Sequence, residues 1–434
     1  MVGFLGQKAI KSITKADIMT RQIDKFQYEC NDCGAAYSAE NVMYLCPACQ
    51  QKNTAVQPPK GVLKTIYDFK KIRKITHSQN LFKHLQRENF LSLLPINEIE
   101  SLPKLYIGNT PLYKFSKIDS EELSFGLYLK DDSQNPTFSF KDRASAVVSA
   151  WAKENGIDTI IAASTGNAGS SLAGICASQC QNSVIFVPAT APLAKLTQIV
   201  MYGAKIIPVN GTYDQAFDLS VKASEIYGFY NRNTAYNPLT IEGKKTVSFE
   251  LFGDLNQQIP DRVFVPVGDG VIISGVYKGF EDLLNLGIIK KMPVIVAVQA
   301  EGSCNLIKNI DQKDFKATVS DTLADSISVD IPRNYFMAVK YLKQYQGEYI
   351  TVSDSEILKA SVKLSASTGI FAEPAAVAAF AGMLKYKAKE LIPEDSKNVV
   401  LLTGSGLKDL KSVQSIINLP EPVEPEISAL ENLF

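Results

Sequence analysis

Residues 159–169 read Thr-Ile-Ile-Ala-Ala-Ser-Thr-Gly-Asn-Ala-Gly, a short apolar run that ends in a turn of small polar residues. Helix-length sequence follows this turn, and the same succession recurs along the chain. Comparable apolar runs lie at 183–189, 205–211, 262–268, 294–300 and 399–404. Alternation of apolar strands with helices indicates βαβ units, in which a mostly parallel sheet is buried on both faces. The sequence therefore predicts an α/β fold.

The composition is that of an ordinary globular protein, with 434 residues of which 46% are hydrophobic. Lys and Arg together number 45, as do Asp and Glu, so the net charge offers no attraction to nucleic acid or to an anionic membrane. The N-terminus lacks the apolar stretch of a signal peptide, and no run reaches the roughly 18 apolar residues of a spanning helix. We expect a cytoplasmic protein with a small-molecule ligand.

The chain divides by composition into four parts. Residues 25–55 are short, turn-rich and contain cysteines, and residues 56–107 have a helical pattern. The alternating strand and helix pattern occupies 108–418, and we expect a smaller domain at about 145–245 to be inserted in it. Residues 419–434 are rich in Pro and Glu, which predicts a loose C-terminal tail.

Four loops after apolar runs carry candidate functional residues, because ligands of open parallel sheets bind beyond the carboxyl ends of the strands. The first is Lys130-Asp-Asp-Ser-Gln-Asn-Pro-Thr-Phe-Ser-Phe-Lys-Asp-Arg143, which contains Lys141. The others are Ser164-Thr-Gly-Asn-Ala-Gly169, Val267-Gly-Asp-Gly-Val-Ile-Ile-Ser-Gly275 and Thr403-Gly-Ser-Gly-Leu-Lys-Asp409.

The chemistry of these loops suits a carbonyl compound and anions. The amine of a desolvated lysine is a nucleophile toward carbonyls, and this property makes Lys141 a candidate. The N–H groups of a helix start can hold a carboxylate or a phosphate. Each loop alone also has an ordinary structural explanation, namely an exposed lysine, a helix cap or a tight turn. The combination of four such loops favours a functional site.

The four clustered cysteines of the seven in the chain have the spacing of a metal site. They follow the pattern Cys30-x2-Cys33-x12-Cys46-x2-Cys49, in which two turns can present four thiolates to one ion. The gap between the pairs is slightly shorter than usual, so unmetallated thiols remain the alternative. The pattern predicts a structural zinc ribbon, whose closed ligand set leaves no open position for catalysis.

In order and content, the four loops resemble those of the fold-type II pyridoxal-phosphate (PLP) enzymes, and most closely the threonine-synthase-like group. The resemblance spans about 105–415 and extends to Ala191–Gln198, Asn237–Lys245, Ala300–Gly302 and Phe371–Pro374. It implies two parallel-type α/β domains and a homodimer. Members of the group often begin with a zinc ribbon, which agrees with the cysteine pattern.

The resemblance also implies roles for individual residues. Lys141 would hold the cofactor as a Schiff base and move protons at the substrate carbons. The rest of the cofactor site would be formed by Asn167 at the phenolic oxygen, by Gly268, Asp269, Gly270, Val271 and Ile272 at the phosphate, and by Thr403 at the pyridine nitrogen. The substrate carboxylate would be held by Ser164, Thr165, Gly166 and Asn167.

The implied reaction is elimination and replacement on a phosphorylated amino acid. Threonine-synthase-like chemistry would release phosphate from O-phosphohomoserine and add water, and Arg143, Lys195 and Lys244 are candidates for binding that second phosphate. A cysteate-synthase-like reaction would instead exchange the phosphate of O-phosphoserine for sulfite. An ammonia-lyase suits the cysteine ribbon poorly. A non-catalytic regulatory protein that keeps the fold is the alternative from another class.

Two positions depart from the pattern of the group. Phe138 replaces a glycine near Lys141, which would shrink the site and favour the shorter substrate, O-phosphoserine. Asp269 replaces an asparagine in the phosphate loop, where a carboxylate is unfavourable unless it is paired or points away.

Overall fold

The alternating apolar runs form three β-sheets in the computed structural model, which describes residues 25–38, 44–75, 80–417 and 419–430. The strands are β1 (Phe26–Cys30), β2 (Ala36–Ser38), β3 (Leu63–Tyr67), β4 (Leu112–Ile118), β5 (Glu121–Asp131), β6 (Thr159–Ala163), β7 (Asn182–Pro188), β8 (Lys205–Val209), β9 (Tyr230–Asn231), β10 (Arg262–Pro266), β11 (Val294–Ala300), β12 (Glu348–Val352) and β13 (Lys397–Leu402). The helices are α1 (Pro47–Gln50), α2 (Phe69–Ile75), α3 (Leu81–Arg87), α4 (Lys141–Glu154), α5 (Asn167–Ser178), α6 (Leu193–Met201), α7 (Tyr213–Tyr227), α8 (Leu239–Lys244), α9 (Thr246–Asp254), α10 (Val271–Asn285), α11 (Asn305–Asn309), α12 (Tyr335–Gln344), α13 (Asp354–Thr368) and α14 (Pro374–Ala388).

The largest sheet has six strands in the order β12-β11-β10-β13-β5-β4. All neighbours in it are parallel except β4, which runs antiparallel to β5 at one edge. Successive residues of β10 face opposite sides, as the pleat of a strand requires. Val263 and Val265 join the core that contains α10, whereas Phe264 joins the core that contains α14. Helices therefore cover both faces, which explains why the strand is apolar throughout.

A second sheet of four parallel strands has the order β8-β7-β6-β9. Helices α5 and α7 pack against its strands. The strands of this sheet fall between residues 159 and 231, within the span of 145–245 that the sequence suggested for a smaller domain. The division of the chain into domains stays a prediction.

The third sheet is small and antiparallel, with the order β2-β1-β3. The sequence pattern predicted a helical segment at 56–107, but β3 lies near its start and pairs with β1 along its whole length. The pattern of β3 is period two, with Leu63, Thr65 and Tyr67 buried on one face, and pairing with β1 satisfies its backbone groups. The helical expectation is correct only after this strand, for α2 and α3.

Residues 419–430 of the C-terminal tail are largely exposed and contain one short 3₁₀ turn, Ile427–Leu430. In the described part of the chain, no helix has both the length and the apolar character needed to cross a membrane.

Candidate active site

One cavity of about 520 Å³ lies beyond the carboxyl ends of β6, β10 and β13. This volume is in the range of small-molecule sites. All the residues that the sequence analysis assigned to cofactor and substrate line this one cavity: Lys141, Ser164, Thr165, Gly166, Asn167, Gly268, Asp269, Gly270, Val271, Ile272 and Thr403. The fold therefore brings together segments that are far apart in sequence, while their individual roles stay predictions.

Lys141 is the first residue of α4 and follows a turn that is attached to the end of β13. The N–H of Phe140 donates to the carbonyl of Thr403 at 2.9 Å, and Ser139 forms a β-bridge with Gly404. Burial lowers the pKa of Lys141, and the charge of nearby Glu373 opposes this shift. A lowered pKa increases the neutral fraction of the amine, which is the form that attacks a carbonyl.

Asn167 is held at the start of α5 by Glu373, a residue of the cavity wall. The amide nitrogen of Asn167 lies 2.9 and 3.0 Å from the two carboxyl oxygens of Glu373. Burial raises the pKa of Glu373, although the hydrogen bond from Asn167 and the charge of Lys141 oppose this effect. Glu373 therefore orients the amide that is expected to face the cofactor.

The loop before α10 has the geometry of an anion site. Gly270 has a φ of +83°, a left-handed conformation that suits glycine, and α10 begins at the next residue. The first N–H groups of a helix have no partner within it and can bind a phosphate. A Cβ at Gly268 would lie 2.9 Å from the Cα of Ile327, so the loop packs closely against that segment.

Asp269 does not conflict with an anion at this loop, because its side chain is engaged elsewhere. Its carboxylate accepts a hydrogen bond from the backbone N–H of Arg333 at 3.0 Å. The carbonyl of Asp269 accepts a second bond from the N–H of Asn334 at 2.9 Å. Burial also raises the pKa of Asp269, which disfavours its charged form. The backbone donors of the loop can therefore serve a phosphate.

These observations fit PLP. A desolvated lysine faces a cavity of suitable size, and the helix start at α10 offers N–H donors for its phosphate. The start of α5 offers Ser164, Thr165 and backbone donors for a carboxylate. Thr403 supplies a neutral hydroxyl rather than a charged group at the end of β13.

Two of the three candidates for a second phosphate do not line the cavity. Arg143 is buried in an ion-pair cluster, with Nε 2.6 Å from Asp132 and Nη2 2.8 Å from Glu250, and it does not line the cavity. Lys195 pairs with Asp325 at 2.8 Å and also lies outside the lining. Lys244 does line the cavity. A single sequence does not reveal that Glu250 and Asp325, each more than 100 positions away, would pair with Arg143 and Lys195.

The expectation that Phe138 shrinks the site was also wrong. Phe138 is not among the residues that line the cavity, and 49% of its surface is exposed. Its φ of +67° is left-handed, the conformation that a glycine adopts without strain. The backbone at this position therefore keeps a conformation typical of glycine, while the ring turns outward.

Several lining residues were missed by the sequence analysis: Arg232, Glu373, Tyr213, Ser326 and Arg333. Arg232 follows β9 directly, so its place after a strand of the parallel sheet was a usable signal. Glu373 lies in the segment Phe371–Pro374 that was quoted for the resemblance, but no role was assigned to it. The other three come from loops and helices without a distinctive pattern.

The four clustered cysteines form a second site away from the cavity. Their sulfur atoms all lie within 4.8 Å of one another. The sulfur atoms of Cys30 and Cys49 are 3.8 Å apart, as are those of Cys33 and Cys46. Four sulfurs at about 2.3 Å from a tetrahedral zinc are about 3.8 Å from each other, so the arrangement fits this ion.

Comparison with known proteins defines the class. The chain belongs to the pyridoxal-phosphate-dependent enzyme family, because the family described as "Pyridoxal-phosphate dependent enzyme" matches residues 103–404. This result confirms the PLP-enzyme assignment and the fold-type II α/β fold.

Individual relatives extend this result. The threonine synthase of Methanocaldococcus jannaschii is 32% identical over 93% of this chain and 98% of its own length. The threonine synthase of Methanosarcina acetivorans is 34% identical, again over 93% and 98% of the two chains. Among solved structures, the processed form of threonine deaminase isoform 2 from Solanum lycopersicum has a TM-score of 0.64 at 21% identity, covering 79% of this chain and 95% of that one. The last likeness concerns the fold alone.

Proposed function

We propose that this protein is a threonine synthase, which converts O-phosphohomoserine and water to threonine and phosphate. The observation that carries the proposal is a desolvated lysine in a cavity that also offers separate sites for anions. Two relatives named threonine synthase match 93% of the chain and support this choice over other activities of the family.

The residues of the chain would divide the work of this reaction. When bound, PLP supplies an electron sink for negative charge at the substrate carbons. Lys141 would take and return protons at those carbons, since burial lowers its pKa and so favours the neutral amine more than in an exposed lysine. The α5 start would hold the substrate carboxylate through Ser164 and Thr165, and Glu373 would keep Asn167 oriented.

Cysteate synthesis from O-phosphoserine is less well supported than it was from the sequence. The feature that favoured a shorter substrate was the ring of Phe138, and this ring lies outside the cavity lining. Threonine deaminase resembles the chain at 21% identity, which carries no substrate information.

An assay with three substrate sets tests the proposal. We expect phosphate and threonine from O-phosphohomoserine, no sulfite-dependent phosphate release from O-phosphoserine, and no ammonia from threonine. Lys141→Ala should lower kcat by roughly a thousandfold or more and abolish the visible absorbance of lysine-bound cofactor. Lys153→Ala, which changes an exposed lysine of the same helix, should behave like wild type. Sulfite-dependent phosphate release as the main activity would overturn the proposal.

Further proposals concern the ribbon and the assembly. We propose that Cys30, Cys33, Cys46 and Cys49 hold one structural zinc ion, for which the sulfur distances are the support. A homodimer and a cytoplasmic location also stay proposals. Sedimentation or light scattering would test the dimer directly.

A further inference from the structure

Several acidic residues that line the cavity have partners in the protein, whereas three basic residues of the lining form no ion pair among the described residues. Asp214 forms an ion pair with Arg333, Asp325 pairs with Lys195, and the carboxylate of Asp330 accepts the N–H of Ser320 at 2.7 Å. In contrast, the cations Lys141, Arg232 and Lys244 form no ion pair within the described part of the chain. Two more carboxylates of the lining, Asp269 and Glu373, act on these lysines through their charge, but neither forms a salt bridge with them. Among the described residues, the three basic groups therefore lack a counter-ion in direct contact.

Arg232 is held in place but left without a negative partner. Only 1% of its surface is exposed. Its Nε donates to the hydroxyl of Ser145, one turn beyond Lys141 on α4, at 3.2 Å. Its Nη2 is buried and has no hydrogen-bond partner among the described residues. Leaving a buried guanidinium nitrogen unpaired is costly, so this arrangement points to a ligand.

Lys244, at the end of α8, is also buried without an ion-pair partner among the described residues. Its surface is 0% exposed, and its ammonium makes one hydrogen bond, to the carbonyl of Thr240 at 3.2 Å. Its Cβ packs against Gly275 of α10, the helix whose start is the expected phosphate site. Burial lowers its pKa well below the usual value, the charges of Arg232 and Lys141 lower it further, and the charge of Asp269 opposes this shift. Lys244 therefore lies close enough to Arg232 and Lys141 for their charges to act on it.

We propose that Arg232 and Lys244 form an oxyanion subsite that binds the phosphate ester of the substrate. The inference rests on the proposed function and names the residues that would select a phosphorylated amino acid. A cofactor carried on Lys141 removes one of the three unpaired cations, and the N–H groups before α10 serve the cofactor phosphate. Arg232 and Lys244 then remain for a second, doubly charged phosphate, whose negative charge would oppose the lowered pKa of Lys244 and favour its ammonium form.

Binding of inorganic phosphate to the PLP-loaded protein provides the first test. Calorimetric titration should give a dissociation constant that rises by about 10- to 100-fold in Arg232→Gln and in Lys244→Met, since each change removes a charge-assisted hydrogen bond. The KM for O-phosphohomoserine should rise by a similar factor. Arg232→Lys and Lys244→Arg keep the charge and should recover most of the affinity. Unchanged phosphate binding and KM in both neutral variants would overturn the subsite.

Wild-type protein gives a second measurement that needs no variant. Phosphate should raise the thermal midpoint of the loaded protein, whereas chloride at equal ionic strength should not. The absence of any difference between the two salts would contradict the proposal. The neutral variants should keep the wild-type midpoint without phosphate, because neither cation has an ion pair to lose.

Titrations with the cofactor show whether Arg232 and Lys244 bind the phosphate of the substrate or the phosphate of PLP. If the subsite serves the substrate, the neutral variants bind PLP and unphosphorylated pyridoxal as wild type does. Loss of PLP affinity, with phosphate binding to the loaded protein intact, would assign the two cations to the cofactor and refute the proposal. If wild type binds phosphate through Arg232 and Lys244 but makes no threonine, the proposed function fails and the subsite stands.

Discussion

At the scale of single residues, Phe138 has a backbone conformation that is typical of glycine. Its φ of +67° lies in the left-handed region, where a side chain with a Cβ is strained by about 1–2 kcal/mol. Hydrogen bonds on both sides maintain this conformation, since its N–H donates to Asn135 at 2.8 Å and its carbonyl accepts from Ser405 at 3.1 Å. The turn that leads to Lys141 is therefore determined by its contacts rather than by local preference.

This left-handed conformation should reverse the usual order of stability of glycine and alanine variants. At ordinary positions glycine is less stable than alanine, because it loses more backbone entropy on folding. At position 138 we expect Phe138→Gly to be more stable than Phe138→Ala by about 1 kcal/mol. Both variants lose the same ring, so their difference isolates the backbone. Urea unfolding measures it, and an alanine variant as stable as the glycine one would show that the position is unstrained.

At the scale of elements, a buried ion cluster joins β5, α4 and α9. The ammonium of Lys130 on β5 lies 2.8 Å from Glu250 on α9, and Arg143 on α4 contacts Glu250 and Asp132. Burial by itself would raise the pKa of Glu250, but Arg143 and Lys130 lower it to about 2. The cluster therefore fixes the helix that begins with Lys141.

Acid should weaken this junction in a defined pH range. The pKa of Glu250 is about 2 in the folded protein against 4.5 normally, so its charged form contributes stability above pH 4.5 that is lost as the pH falls toward 2. A shift of this size corresponds to about 3 kcal/mol. The free energy of unfolding of wild type should exceed that of Glu250→Gln at pH 7, and this gap should narrow between pH 4.5 and 3.

Glu424, an exposed residue of the C-terminal tail, provides a control for this experiment. Glu424→Gln should have the same free energy of unfolding as wild type throughout this pH range. A gap between wild type and Glu250→Gln that stays constant with pH would mean that the carboxylate contributes no ion-pair stability.

At the scale of the whole molecule, the cysteine ribbon is connected to the catalytic core. Tyr67 on β3 donates to Glu242 on α8 at 2.6 Å, and Glu242 lies two residues before Lys244. The same carboxylate is an ion-pair partner of Lys245, which also lies 2.8 Å from Asp282 on α10. The ribbon sheet therefore packs on the helices that form one wall of the cavity.

Loss of the metal should consequently affect more than the ribbon. We expect Cys33→Ser to lose the zinc, to lower the thermal midpoint and to reduce activity, because α8 would lose a neighbour that orients it. Cys180→Ser changes another exposed cysteine and serves as the matched control. Metal analysis, thermal unfolding and the threonine assay measure the three effects. Full zinc content in Cys33→Ser would contradict the ligand assignment.

The local sequence pattern was sufficient to predict the class of fold and the loops that line the cavity. Period-two and helical patterns depend on neighbouring residues, and the loops after parallel strands converge because the strands do. For this reason Lys141, Asn167, Gly268 and Thr403 were placed in advance, and all four line one cavity. Strand β3 was missed because its partner is a distant strand rather than a neighbouring turn.

The sequence by itself determined the α/β fold and indicated that Lys141 and three further loops lie at the carboxyl edge of its strands, because local patterns encode these features. Only the tertiary structure decided which cations are free. Arg143 and Lys195 form ion pairs with Glu250 and Asp325 from distant segments, whereas neither Arg232 nor Lys244 forms an ion pair among the described residues. The electrostatics of a buried charge depend on what lies within a few ångströms in space, and the order of residues along a chain does not specify those neighbours.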